Sequence, residues 1–326
     1  MLKTMLFSAV LRCMLCAPLA LGVPAWAQPG TAESAPASVE HAVVLAGADG
    51  LPARRQGTLF KVTREGQVSY LFGTIHVGAK SFYPLAPEVS AALASAGRLV
   101  VELDTRANDA YHRAVVAHGR YRPGQHIRDH LSADTMARLT QALHALGMTV
   151  ASMSHLKPWL VANILMGLEL ERSGFDRIHG NESFLLAQAQ MHGTAVAELE
   201  SADYQLALFD TLSDAEAERY LRESLVELSN GSSLRKARAT IDAWRSGNHA
   251  ALDALIPDAV SGGTVMSDFT RRMLLGKRNP EMASRIESMM RDGKTTFVGV
   301  GLLHLLGADG LPRLLAQRGY QVVRVY

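Results

Sequence analysis

The sequence predicts an α/β fold, a central mixed sheet with long helical insertions forming a cap. Three observations carry this. Apolar β-rich runs stand near both ends of the chain, long helical patterns lie between them, and no linker separates the two. Two of the runs end in the same unit, Gly73-Thr-Ile-His76 and Gly301-Leu-Leu-His304, and these two strand-end motifs are expected to line one cleft.

Residues 1–27 stand apart from that fold. Lys3 and Arg12 are their only charges, set among apolar runs, and Ala25-Trp26-Ala27 is a small-x-small cleavage site. This reads as a signal peptide cleaved after Ala27, with a periplasmic product and no membrane anchor after cleavage. Cleavage removes Cys13 and Cys16, so no disulfide or thiolate ligand remains, and a bound metal would need His, Asp or Glu. It also leaves the basic residues equal in number to the 31 acidic ones, which argues against nucleic acid as a partner. Residues 28–50 are small, polar and Pro-containing at their start and read as a disordered leader; 51–326 reads as a single α/β domain.

GTLFKV and QVSYLFGT predict a hairpin turning at Arg64-Glu65-Gly66. RLVVELD, 98–104, predicts a strand ending in Glu102 and Asp104. Helical periodicity runs from Asn108 to about Arg172, with one helix capped by Ser132 and closed at Gly147. NESFLLAQAQMHG predicts another helix, and TAVAELE, 194–200, a strand that puts Glu198 and Glu200 on one face. Residues 201–293 are helical again, and Pro280 is expected to begin a new helix there. Strand TTFVGVG, helix LPRLLAQRG and strand YQVVRVY close the chain. The hexapeptide GADGLP at 47–52 and 307–312 sits in different contexts and is read as coincidence.

Glycine at a strand end lets the backbone turn sharply, and strand C-termini are where open α/β sheets build sites. A neutral imidazole there can ligate a metal or act as a base. Glu102 and Glu200 would reach the same rim if their strands are parallel neighbours. One Gly-x-x-His unit alone is more often structural than functional; two of them, with strand-end glutamates, shift that balance. His112, His118, His126, His130, His144 and His155 lack such framing and read as surface or satisfied histidines. Asp214, Glu216 and Glu218 load the first turn of a helix. As solvent-facing tips, His76 and His304 should cost at most about 1 kcal/mol to remove, whereas Phe72 in the strand body should be core.

YLFGTIHVG (70–78), LVVELD (99–104), LKPWL (156–160), GFD (174–176), AELESADYQLALFDTLS (197–213), DAWRSGN (242–248), KRNPEMASRI (277–286) and FVGVGLLHLLGADGLPRLLAQRGY (297–320) together resemble the TraB/PrgY/GumN family in its exported, GumN-like form. That family is related to the Tiki proteases, described as divalent-metal-dependent peptidases. The resemblance implies an α/β fold whose site is lined by His76, His304, Glu102 and Arg278. The expected function is a periplasmic metal-dependent hydrolase cleaving a peptide or amide bond. His76, His304 and Glu102 would hold a divalent ion, with Mn, Co and Zn all open. Glu102 or Glu200 would act as base, and Arg278 would stabilise developing negative charge. Substrate contacts are assigned within the matched stretches to Gly73, Thr74, Gly301, Asn279, Asp176 and Gln205. A non-catalytic ligand-sequestering protein and a metal-free His/Glu esterase are the alternatives. Peptide and small molecule both stand as substrate classes.

Overall fold

The computed structural model describes residues 55–106 and 108–326. The expected signal peptide, the leader and the first GADGLP copy lie outside these described residues.

Strands β1 (Leu59–Arg64), β2 (Gln67–Thr74), β3 (Arg98–Val101), β4 (Ala195–Glu198), β5 (Thr296–Gly301) and β6 (Gln321–Arg324) form one mixed sheet in the order β4-β3-β5-β2-β1-β6. β1 and β2 make the expected hairpin, closed by Glu65 (φ 50°) and Gly66 (φ 81°), whose left-handed backbones match the twist of the flanking strands. β6 runs antiparallel on the far side of β1, while β2, β5, β3 and β4 are mutually parallel. Parallel strands are covered on both faces, and β5 at the centre is buried at every position.

Alternation along the strands separates two cores. Phe72, Leu99 and Phe297 face one, together with Trp159 and Trp244 from the helical insertions. Leu71, Val100 and Val298 face the other, with Met282 and Ile286 from the helix Arg278–Met290 and Leu311 and Leu315 from Leu311–Gln317. Phe72 is fully buried, as its place in the strand requires.

The predicted helix boundaries rest on local chemistry. Ser132 accepts from the Thr135 amide at the head of Ala133–Ala145, and Gly147 follows with φ 72°. Asn181–His192 ends at left-handed Gly193, and Ser213 and Glu216 form a reciprocal capping box on Asp214–Ser229. Among the described residues no helix is long and apolar enough to cross a membrane.

Two expectations fail. β4 stops at Glu198, so strand alternation does not reach Glu200: Glu198 is exposed and accepts from the Asp104 amide, whereas Glu200 is buried. Pro280 begins no separate helix. A π-helical stretch, Thr270–Lys277, runs directly into Arg278–Met290, with Lys277 still helical at φ −88°, ψ −49°. Proline lacks the N–H that would bond back to residue 276, and the wider turns ahead of it accommodate that missing donor.

Candidate functional site

Because β2, β5, β3 and β4 are parallel, their C-terminal ends share one rim, and the condition placed on Glu102 and Glu200 is met. The rim is anchored by Trp244, whose indole N–H donates to the Gly73 carbonyl at 2.8 Å.

After β2 the chain is clamped by the N-terminus of the helix Asn181–His192. The Ile75 amide donates to Asn181 Oδ1 at 2.9 Å, and the Asn181 amide returns a bond to the Ile75 carbonyl at 3.0 Å. A Cβ on Gly180 would stand 2.4 Å from the His76 carbonyl oxygen, so only glycine lets the two segments approach this closely. The approach delivers Glu182, whose Oε1 lies 3.1 Å from His76 Nδ1 and also accepts from the Thr74 hydroxyl. His76 Nε2 is buried with no hydrogen-bond partner.

After β5 the chain enters a short 3-10 turn, Leu302–Leu305, that carries His304. Its Nδ1 faces Asn279 Oδ1, while Asn279 Nδ2 donates to the Asp309 carbonyl at 2.7 Å. With the amide nitrogen so committed, Asn279 presents its oxygen and Nδ1 of His304 carries the proton, a tautomer assigned from the hydrogen-bond network. The Nε2 lone pair then faces Glu102 Oε1 at 3.7 Å, acceptor against acceptor.

Glu102 sits just past β3. Its Oε1 accepts from the Gly301 amide at 2.6 Å, and its Oε2 from Arg278 Nη2 at 2.6 Å. Arg278 also grips Glu200, with Nη2 at 2.7 Å from Oε2 and Nε at 2.9 and 3.0 Å from the two oxygens. Gln205 Nε2 donates to Glu200 Oε2 at 2.9 Å.

These contacts set the charges. Burial pushes Glu102 up, but His304, Arg278, His76 and the Gly301 amide together bring it down to about 2. Burial drives His304 down to about 4, helped by Arg278 and His76 against the pull of Glu102. Burial also pulls His76 down, yet Glu182 and Glu102 more than offset it, and its pKa is raised. For Glu182 burial is outweighed by His76 and Thr74, and its carboxyl is held below the ordinary value. Arg278 is penalised by burial but held charged by Glu102 and Glu200.

The structure thus brings His304, Glu102, Glu200 and Arg278 into one contact network, with His76 near enough to act on both Glu102 and His304. His304 is only 2% exposed, so the solvent-facing tip expected for it is wrong: the 3-10 turn folds the imidazole back under the rim. Arg278 directs Nε and Nη2 at carboxylates, so those donors are already engaged. Among the assigned substrate contacts, Thr74, Asn279 and Gln205 are spent on Glu182, His304 and Glu200. The Gly73 carbonyl and Gly301 amide are spent on Trp244 and Glu102. Asp176 belongs to a neighbouring loop, where its carboxylate meets His179 Nδ1 at 2.7 Å and its carbonyl accepts from the Gly78 amide at 2.7 Å.

Sequence reasoning missed Glu182. The available signal was a carboxylate in the first turn of a helix immediately behind a glycine, a pattern indistinguishable from ordinary dipole compensation. Of the unframed histidines, His118 is satisfied as expected, with Nε2 2.8 Å from Asp203, whereas His130 meets Asp214 through Nδ1 at 3.0 Å and keeps its Nε2 buried without a partner.

Among the described residues no group of three or more His, Cys, Asp or Glu side chains is gathered so as to hold a metal ion. The donor chemistry nonetheless suits one. Two donors about 2.1 Å from a tetrahedral ion lie roughly 3.4 Å apart, close to the 3.7 Å between His304 Nε2 and Glu102 Oε1. His76 adds a buried nitrogen without a partner.

The family model for TraB/PrgY/gumN matches residues 58–324. Among curated proteins, "Uncharacterized protein YbaP" of Shigella flexneri is 24% identical over 247 residues, covering 76% of this chain and 87% of the relative. The protein of the same title in Escherichia coli (strain K12) is 24% identical over 246 residues, with the same coverage of 76% and 87%. No solved structure matches the chain.

Proposed function

The chain belongs to the TraB/PrgY/gumN family, and on that premise we propose that it is a periplasmic divalent-metal-dependent hydrolase acting on a peptide or amide bond. The observation that carries this reading is the matched treatment of the two imidazoles. Each has Nδ1 held by a side-chain oxygen, which leaves Nε2 as the available donor, the usual arrangement for a ligating histidine. His76, His304 and Glu102 would hold the ion, whose class is Mn, Co or Zn.

Charge balance supports the same reading. Three buried carboxylates, Glu102, Glu182 and Glu200, outnumber the buried Arg278 and the Arg177 whose charge acts on His76, so with both imidazoles neutral the cluster carries net negative charge, which favours a bound cation. When bound, such an ion supplies an acidified water and polarises a carbonyl. Arg278 helps keep Glu102 ionised, grips Glu200 beside it, and fixes Glu102 so that Oε1 faces His304. Glu200, bound by Arg278 and Gln205, serves that positioning.

Metal analysis of protein purified without a His-tag, followed by a peptide-library assay with and without chelator, tests the proposal. Expected are one divalent ion per chain and chelator-sensitive cleavage. Metal without turnover would favour a sequestering protein, a reading supported by the engagement of Arg278, Thr74, Asn279 and Gln205 with protein partners. Export is tested by N-terminal sequencing of a periplasmic extract, which should begin at Gln28; unprocessed protein in the cytosol would sink it.

A further inference from the structure

We infer that Glu182 is a positioning residue that selects the tautomer of His76, holding the proton on Nδ1 so that Nε2 is presented to the site. The use of that nitrogen as a ligand follows the metal-site reading above, while the tautomer rests on geometry.

An imidazole takes the tautomer that its better-held nitrogen dictates. At His76 that nitrogen is Nδ1, 3.1 Å from a buried carboxylate oxygen. The carboxylate cannot swing away. The Thr74 hydroxyl donates to the same oxygen, and the preceding residue, Asn181, is bonded twice to Ile75, next to His76. Gly180 allows the His76 carbonyl to pack against this helix start, so acceptor and imidazole ride on backbones in direct contact.

The second observation is at the other end of the ring. His76 Nε2 is buried with no partner, and buried polar atoms in that state call for an explanation. A lone pair kept free for an electrophile provides one. Were Glu182 absent, Nδ1 would lose its acceptor, the proton could pass to Nε2, and the donor aimed at the site would be blocked. His304 has only the neutral amide of Asn279 behind it. A carboxylate raises the basicity of the histidine it backs more than an amide does, so Glu182 makes His76 the stronger donor of the two.

The test uses the full mature chain and the variants Glu182→Ala, Glu182→Gln and Thr74→Val. In chelator-treated protein at about pH 9, long-range proton–nitrogen NMR should show wild-type His76 protonated on Nδ1. Glu182→Ala should move the proton to Nε2, and Glu182→Gln, whose amide oxygen can still accept, should largely retain it. Thr74→Val should leave the tautomer in place. Wild type protonated on Nε2, or no change in Glu182→Ala, overturns the inference. Calorimetric titration with zinc chloride should show binding weakened about 10–100-fold in Glu182→Ala. Equal affinity would overturn the positioning role. If wild type binds neither zinc, manganese nor cobalt, the metal-site reading fails and the NMR result alone decides Glu182. Should Glu182→Ala not fold, both readouts pass to the near-isosteric Glu182→Gln. There, a retained Nδ1 proton with zinc binding weakened by loss of the carboxylate is the supporting result, and an Nε2-protonated ring or wild-type zinc affinity the opposing one.

Discussion

The two Gly-x-x-His units end neighbouring parallel strands, with Gly73 paired to Val300 and Thr74 to Gly301, and both hold Nδ1 against a side-chain oxygen, yet they shift the proton affinity of their imidazoles in opposite directions. The His76 side chain is 14% exposed, is backed by a carboxylate and has a raised pKa. The His304 side chain is 3% exposed, is backed by an amide and is lowered to about 4. The shared motif therefore specifies a turn that carries a ring to the rim. Ionisation and tautomer come from whichever element packs behind the turn, the helix Asn181–His192 in one case and Arg278–Met290 in the other.

The largest effect should come from the residue that supports the His304 side. Arg278→Met leaves Glu102 and Glu200 buried without a counter-charge and should cost about 3–5 kcal/mol in urea unfolding. A loss below about 1 kcal/mol would mean the two carboxylates are not held by this guanidinium.

Next is the pH dependence of metal-free protein, where the two units should differ in sign. His304 is lowered from 6.5 to about 4, so the unfolded chain binds its proton first. Its contribution is complete above about 6.5 and is lost as pH falls toward 4, on the order of 3 kcal/mol. Below 4.5 Glu102 adds to the loss as it approaches its folded value of about 2. His76, raised above 6.5, contributes below that value and loses its share as pH rises through the folded pKa. His304→Gln should flatten the limb between pH 6.5 and 4, and His76→Gln should act mainly on the alkaline side, with a smaller change on the acid limb through its effect on His304 and Glu102. The same change in both variants would erase the comparison.

Metal linkage should then reunite the units. If both rings ligate one ion, a divalent salt at 100 times its Kd stabilises wild type by about 2.7 kcal/mol. The melting temperature should rise accordingly, and neither His76→Ala nor His304→Ala should respond. Equal responses from wild type and both variants would remove the histidines as ligands.

The smallest effect belongs outside the rim. Asp176→Asn disturbs a partly exposed pair with His179 and should cost less than about 1 kcal/mol, with metal binding unchanged. A large loss of binding would bring that loop into the site and make the assignment of Asp176 as a substrate contact worth reopening.

Much of the frame was legible before any coordinates. Glu65-Gly66 closes its hairpin, Ser132 starts its helix, and Gly193 ends one, because each signal acts within a few residues. The rim was legible conditionally: His76, His304, Glu102 and Glu200 follow apolar runs, and parallel pairing brings those runs together. The misreadings share a cause. Alternation extended past β4 puts Glu198 and Glu200 on one face, and a strand end read as an exposed tip puts His304 in solvent. Both depend on where the regular strand gives way to a bend or turn, which the neighbouring segments decide.

By itself, then, the sequence determined an α/β chain with two histidines and a glutamate delivered to strand ends, since alternation, capping and left-handed turns are encoded locally. Only the tertiary structure decided what those groups are chemically. The acceptor on Thr74 and His76 comes from Glu182, with Thr74 and Glu182 108 residues apart in the chain, and the guanidinium on Glu102 comes from Arg278, 176 residues away. Proton affinity and tautomer respond to charges within a few ångströms in a desolvated interior, where Coulomb energies are several-fold larger than in water. No periodicity or spacing records which distant carboxylate, amide or guanidinium will arrive at that distance.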